Sequence, residues 1–182
     1  INEALTKLKT SGENKPLVEL IDEFEKLFEL SHFYPSSFHH FLKELLKTTF
    51  WQSHNYPDNP YPELCLALTS CIDNLYNAPS HTEPPYHSRN HFQDVCVALT
   101  VLLDQSPVSN HIHQPNDPWI LSSEEAWLLL FCAIAHDYDH NGSINHTPFE
   151  LELLSIKKIF DFLTQSSLPP PFVEGLEARV KP

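Results

Sequence analysis

Trp127-Leu-Leu-Leu-Phe-Cys-Ala-Ile-Ala135 runs straight into His136-Asp137-Tyr138-Asp139-His140. Nine residues that are all aliphatic or aromatic apart from Cys132 read as a buried helix. Ahead of them, Ser122-Ser-Glu-Glu125 has the form of a capping box, with Ser122 at the cap and Glu125 three positions on. Four ligand-type side chains then follow within five positions, where packing has no use for them. A metal site at the end of a buried helix is the inference.

Outward from that helix the same apolar spacing recurs, and no stretch alternates with the period of two that a half-buried strand requires. Prolines, sixteen of them against three glycines, mark the boundaries. A short amphipathic segment covers Ile1 to Leu8. The next helix starts near Pro16 and places Leu17, Leu20, Ile21, Phe24, Leu27 and Phe28 on one face. Ser36 or Ser37 caps a third, through Phe38, Phe41, Leu42, Leu45 and Leu46, before the breaker run Asn55 to Pro60. A fourth runs from Pro62 to Leu75. Beyond the Pro-rich loop at 78–85, a helix through Phe92, Cys96 and Leu99 stops before Pro107. Past the His-Asp cluster, Thr147-Pro148-Phe149-Glu150 repeats the cap signature and opens a helix to Leu163. A last one spans Phe172 to Val180. The expected fold class is all-α, roughly seven or eight helices forming a single compact domain over 1–182.

Composition narrows the function. With 41% hydrophobic and 19% charged residues, and no apolar run near the roughly 18 to 20 residues that span a bilayer, the chain reads as globular and not membrane-embedded. A net charge of −13 excludes nucleic acid and anionic membrane surfaces as main partners, since both demand a basic face. It also repels small phosphates, so a phosphate substrate needs local positive charge, which bound metal supplies best. Cys65, Cys71, Cys96 and Cys132 lack C-x-x-C spacing and sit in apolar helical contexts, which suits reduced core thiols. The opening Ile1-Asn2-Glu3 shows no leader pattern. Together these give a cytoplasmic expectation.

His87 and His91, four apart, fall on one helical face, although His87 lies so near the start that it could sit outside the regular turns. A divalent ion of the zinc or manganese type takes neutral imidazoles and carboxylates. His91, His136 and Asp137 supply three. Adjacent His136 and Asp137 cannot share one side of a regular helix, so the helix is expected to end or distort there. Asp137 has two oxygens and can bridge metals about 3.5 to 4 Å apart. Bound metal lowers the pKa of water from 15.7 to about 7, and a leaving oxygen then needs a proton, which His87 is placed to give. Arg89 reads either as a phosphate contact or as half of a surface ion pair, and Asp94 as a group that orients a histidine or caps a neighbour. His111-Ile-His113 has metal-like spacing in a Pro-rich loop, where a solvated loop is the simpler reading.

The blocks Tyr86-His87-Ser88-Arg89-Asn90-His91 with Asp94-Val95, and His136-Asp137-x-Asp139-His140-x-Gly142-x-x-Asn145, resemble the two leading motifs of cyclic-nucleotide phosphodiesterase catalytic domains, within the HD-domain metal phosphohydrolase superfamily. The resemblance runs from Pro85 to Leu163, under half of a full phosphodiesterase domain. It implies a binuclear centre with zinc at the tighter position and magnesium or manganese at the other, iron being the choice in some HD proteins. His91 and His136 would be metal ligands, Asp137 a ligand that can bridge and take part in catalysis, and His87 the general acid. His140 would partner the second metal's waters, while Tyr86, Asp139 and Asn145 would shape the pocket. Departures are Ser88 for the usual Asn, Asn141 for the usual Pro, and the absence after Asn145 of the family's aspartate and paired-histidine block.

The family's fourth protein ligand is an Asp on a later helix, and its base-gripping Gln and aromatic clamp come later still. Either Glu174 to Pro182 leads into that helix, making this the front portion of a longer protein truncated at its C-terminus, or Glu150, Glu152 or Asp161 substitutes. The function expected is a metal-dependent phosphohydrolase, most like a 3′,5′-cyclic-nucleotide phosphodiesterase, using metal-bound hydroxide with a histidine general acid on a small phosphate ester. Two alternatives keep the same residues: a di-iron HD-type oxygenase, and an inactive relative that binds a nucleotide or a protein.

Overall fold

A computed structural model describes residues 17–105, 108–109, 121–140, 143, 145–147, 150–165 and 170–180. The expected segment Ile1 to Leu8, Pro16 and the pair His111 and His113 lie outside the described residues. Eight helices are present among the described ones: α1 Leu17–Phe33, α2 Phe38–Leu45, α3 Thr49–Ser53, α4 Tyr61–Tyr76, α5 Arg89–Asp104, α6 Ser123–Ala135, α7 Glu150–Gln165 and α8 Pro170–Val180. The architecture is all-α, as the apolar spacing predicts. One addition is a two-residue parallel bridge, β1 Val108–Ser109 with β2 Leu121–Ser122, paired as Val108 with Leu121 and Ser109 with Ser122. Two residues are too few to print a period in the sequence.

Four helices build the core. α4 packs on α2 and α6, and α5 packs on α2 and α6, while α1 lies over α5 and α2. Between them Phe38, Phe41, Leu42, Trp51, Leu68, Phe92, Trp127 and Phe131 are buried almost completely. Each such side chain stabilises the fold by roughly 1.5 to 3 kcal/mol relative to exposure. The indoles of Trp51 and Trp127 approach to 4.8 Å between ring centroids. Their N–H groups are satisfied on Thr100 Oγ1 at 3.1 Å and the His54 carbonyl at 3.0 Å, which is why a buried pair of indoles costs nothing in lost hydrogen bonds.

The helix starts follow local chemistry. Ser37 caps α2, its hydroxyl accepting from His40 N. From α4, Asp73 completes that end by accepting from Phe38 N at 2.9 Å and His39 N at 3.0 Å, where the helix dipole favours a carboxylate. The capping box of α6 is present in full: Glu125 N donates to Ser122 Oγ, and Ser122 N to Glu125 Oε2.

One helix face differs from expectation and another buries polar side chains. Phe28, placed by spacing on the apolar face of α1, is exposed, while Leu27 packs as expected and Leu30 and Ser31 join it. On α5, Leu102 is 66% exposed while Gln93 and Thr100 are buried. Both polar side chains are bonded, Gln93 to the Tyr34 carbonyl and Thr100 to the Cys96 carbonyl. Once bonded, a polar group can occupy a core position that hydropathy alone would assign to leucine. Among the described residues no helix is long and apolar enough to cross a membrane.

Candidate metal centre

Ser88 is the N-cap of α5, with His91 N donating to its hydroxyl, so His91 sits in the first turn and His87 stands just before the cap. The backbone of His87 is held separately, by Tyr76 of α4 donating its hydroxyl to the His87 carbonyl at 2.9 Å. Burial raises the Tyr76 pKa far above its ordinary value, and nearby Glu83 adds to this, so the phenol remains a donor. Tyr76 carries no motif, and nothing in its sequence neighbourhood marks it.

The other half of the site comes from α6. The regular helix ends at Ala135 and continues as turns, with Tyr138 N donating to the Ala135 carbonyl and His140 N to the Asp137 carbonyl, both at 3.0 Å. Asp139 has φ of 58°, in the left-handed region where aspartate is tolerated better than most residues. The regular helix ends just before the adjacent pair, as expected, and His136 and Asp137 face one point.

Three donors converge there. His136 Nε2 lies 3.2 Å from His91 Nε2 and 3.0 Å from Asp137 Oδ2, and His91 Nε2 lies 3.5 Å from the same oxygen. Ligand atoms held 2.0 to 2.1 Å from a tetrahedral ion stand about 3.3 to 3.4 Å apart, so the triangle fits zinc-type coordination. The tautomer agrees: His136 Nδ1 donates to the Ala133 carbonyl at 2.8 Å, leaving Nε2 as a lone-pair donor. A second grouping, His87, Asp137 and His140, shares the same carboxylate, with its ligand atoms within 4.8 Å of one another. His87 Nδ1 donates to Asp137 Oδ2 at 2.7 Å, and the His87 and His140 rings lie 3.8 Å apart.

Charge organises this cluster around Asp137. Burial raises its pKa, but hydrogen bonds and charge from His136 and His87 outweigh that and hold the carboxyl well below its usual range. Burial pushes His136 down, yet its contacts with Asp137 and the Ala133 carbonyl leave it raised overall. His91 is lowered, by burial first and then by His136. His140 is lowered by burial and by His87.

Tyr86, 68% exposed, covers the site from outside, its ring 4.7 Å from that of His91. A cavity of about 200 Å3 opens beside His136 between α6 and α7, lined by Phe131, Cys132, Ala135, Glu152, Ile156 and Ile159. A larger one of about 370 Å3 by Lys26, Phe50 and Thr100 lies away from both histidine groupings.

Two expected pocket residues are engaged elsewhere. Asn145 accepts from Leu151 N at 2.7 Å and donates to Glu152 Oε2 at 2.9 Å, both on α7. Asp139 pairs with Lys158, also of α7. Arg89 is neither a phosphate contact nor a surface pair. It is buried, with its guanidinium donating to Glu83 at 2.9 Å, Asn77 Oδ1 at 2.9 Å and the Ser36 carbonyl at 2.7 Å. Glu150 accepts from His146 N and Thr147 N. Neither of the two donor groupings found among the described residues includes Glu150, Glu152 or Asp161.

Comparison with known proteins finds a likeness over part of the chain. Across 80 residues it is 32% identical to the dual specificity calcium/calmodulin-dependent 3′,5′-cyclic nucleotide phosphodiesterase 1C of Mus musculus and to that of Homo sapiens. The Rattus norvegicus protein of the same name matches equally. The aligned segment is 44% of this chain and spans about a tenth of the length of those relatives. No family model matches, and no solved structure gives a significant match. The likeness is to the phosphodiesterase class, distant and partial.

Proposed function

We propose that the chain forms the metal-binding front portion of an HD-type phosphohydrolase domain, most like a 3′,5′-cyclic-nucleotide phosphodiesterase. The observation that carries this reading is the triangle of His91 Nε2, His136 Nε2 and Asp137 Oδ2, with edges of 3.0 to 3.5 Å. Those three residues would hold a zinc-type ion, and the remaining side of Asp137, with His140 nearby, suits a second ion such as magnesium or manganese. Bound divalent metal acidifies water and neutralises phosphate charge.

The chain's own residues do the rest. Asp137 accepts the Nδ1 proton of His87, which aims the imidazole and leaves Nε2 toward the leaving oxygen. In its imidazolium form His87 carries a second proton on Nε2, and that proton passes to the departing oxygen. Tyr76 keeps His87 from drifting by bonding its carbonyl. Tyr86 and the cavity beside His136 offer apolar surface to the rest of a phosphate ester. The four free cysteines support a reducing, cytoplasmic setting.

The test pairs metal analysis of the purified protein with hydrolysis of cyclic AMP, cyclic GMP and bis(p-nitrophenyl) phosphate. Zinc with a second divalent ion, and turnover that collapses in His136→Ala and Asp137→Ala, is the expected result. Metal-free protein that gains no activity from zinc, magnesium or manganese would sink the reading. The second histidine grouping around Asp137 favours one other reading, a di-iron oxygenase, which iron content together with oxygen uptake would select.

A further inference from the structure

The turn that carries the donors does not hold itself together. Residues 136–139 lie beyond the end of α6, secured by two i to i+3 backbone hydrogen bonds, and Asp139 adopts a left-handed φ of 58°. Aspartate tolerates that region better than most residues, and contacts to its side chain help to keep it there. Those contacts come from α7. Lys158 pairs with the Asp139 carboxylate, both side chains about one-third exposed. At the near end of α7, Asn145 is bonded to Leu151 N and Glu152, while Glu150 takes His146 N and Thr147 N. One helix therefore holds both ends of the segment 139–147, whose first residue sits two positions from Asp137 and one from His140.

We infer that Lys158 is a positioning residue of the metal centre: by holding Asp139 in its left-handed conformation, it sets the turn on which His136 and Asp137 meet His91. This rests on the metal reading above. Lys158 lies 19 positions beyond Asp139 and touches no proposed ligand. Its effect runs through the backbone, since the Asp139 φ determines where the chain turns away from α6 and returns His140 to the ring of His87. Without the cation, Asp139 relaxes toward negative φ, and the donors lose the 3.0 to 3.5 Å spacing. Removing a group bonded directly to a metal ligand costs about 10- to 100-fold in affinity, and Lys158, one residue further out, is expected at the lower end of that range.

The experiment measures zinc affinity by chelator competition, and the absorption of the cobalt-loaded protein, for wild type, Lys158→Ala, Lys158→Arg and the double variant Lys158→Ala with Asp139→Gly. Glycine takes a left-handed φ at little cost, so the double variant keeps the turn without the ion pair. Expected are a loss of at least about tenfold in Lys158→Ala with an altered cobalt spectrum, near-wild-type values in Lys158→Arg, and recovery to within about threefold in the double variant. Unchanged zinc affinity in a folded Lys158→Ala protein overturns the inference. Should that variant fail to fold, the double variant decides: recovery supports the inference and a tenfold loss overturns it. A wild-type chain with no zinc affinity overturns both this and the metal reading, whereas equal tight binding by every variant overturns this one alone.

Discussion

Asp137 Oδ2 accepts from His87 Nδ1 at 2.7 Å, a contact between residues 50 positions apart that joins the loop before α5 to the turn after α6. One carboxylate thereby serves two groups: it completes the triangle with His91 and His136, and it orients the histidine proposed as acid. Different substitutions should separate those two tasks.

Removing a donor should remove metal. His91→Ala, His136→Ala and Asp137→Ala are each expected to weaken zinc binding by more than about a hundredfold, beyond the 10- to 100-fold seen for supporting residues. Competition titration measures this, and circular dichroism establishes that the helices persist. Zinc affinity unchanged in all three would remove the triangle from consideration.

His87→Gln should behave differently. Loss of the proton donor is expected to lower kcat by about 10² to 10⁴ while the zinc content remains that of wild type. If the variant instead loses an equivalent of metal, His87 is a ligand in the second grouping and not the acid.

The shifted groups predict a pH window for the metal-free protein. Asp137 is depressed in the fold, so its contribution to stability is present above its unfolded value of about 3.9 and is lost as pH falls. His136 is raised, so its contribution is complete below about 6.5 and is lost as pH climbs through the folded value. In EDTA, the gap in melting temperature between wild type and Asp137→Asn should be widest from about pH 4 to 6.5, narrowing on either side. Zinc competes with the proton on His136, so zinc affinity should rise with pH up to the folded value of His136 and level off above it. Thermal melts and titrations across pH 4 to 8 check both signs, and a gap independent of pH would refute the pairing.

Arg89 offers a control on the fold. Arg89→Met leaves Glu83 and Asp73 without their cation in a largely buried setting, and should destabilise by about 3 to 5 kcal/mol. Zinc affinity of the folded fraction should be unchanged. A variant of wild-type stability that instead raises KM would return Arg89 to the role of phosphate contact.

The sequence marks the residues that the fold brings together at the candidate site. His136 to His140 stand out because ligand-type side chains follow directly on an apolar helix, His91 because it lies four residues from His87, and the Ser122 and Glu125 box marks the start of α6 by its own chemistry. Arg89 was legible only as a charge. Its partners Ser36, Asn77 and Glu83 come from three separate segments, and burial turned a residue that looked like surface into a buried network. Asn145 and Asp139 matched a motif, yet their side chains bond to α7, since a motif records residue type and spacing and not which neighbour arrives first.

Apolar periodicity and capping act between residues three or four apart, so the sequence was enough for the longer helices, the Ser122 cap of α6 and a set of candidate donors, though not for α3 or for the Ser88 cap of α5. Tertiary structure alone decided that His91 reaches His136, that Tyr76 holds His87 and that Lys158 meets Asp139. Those contacts join residues from different helices or from loops to helices, and only the packing of α4, α5, α6 and α7 around one core brings such residues within bonding distance.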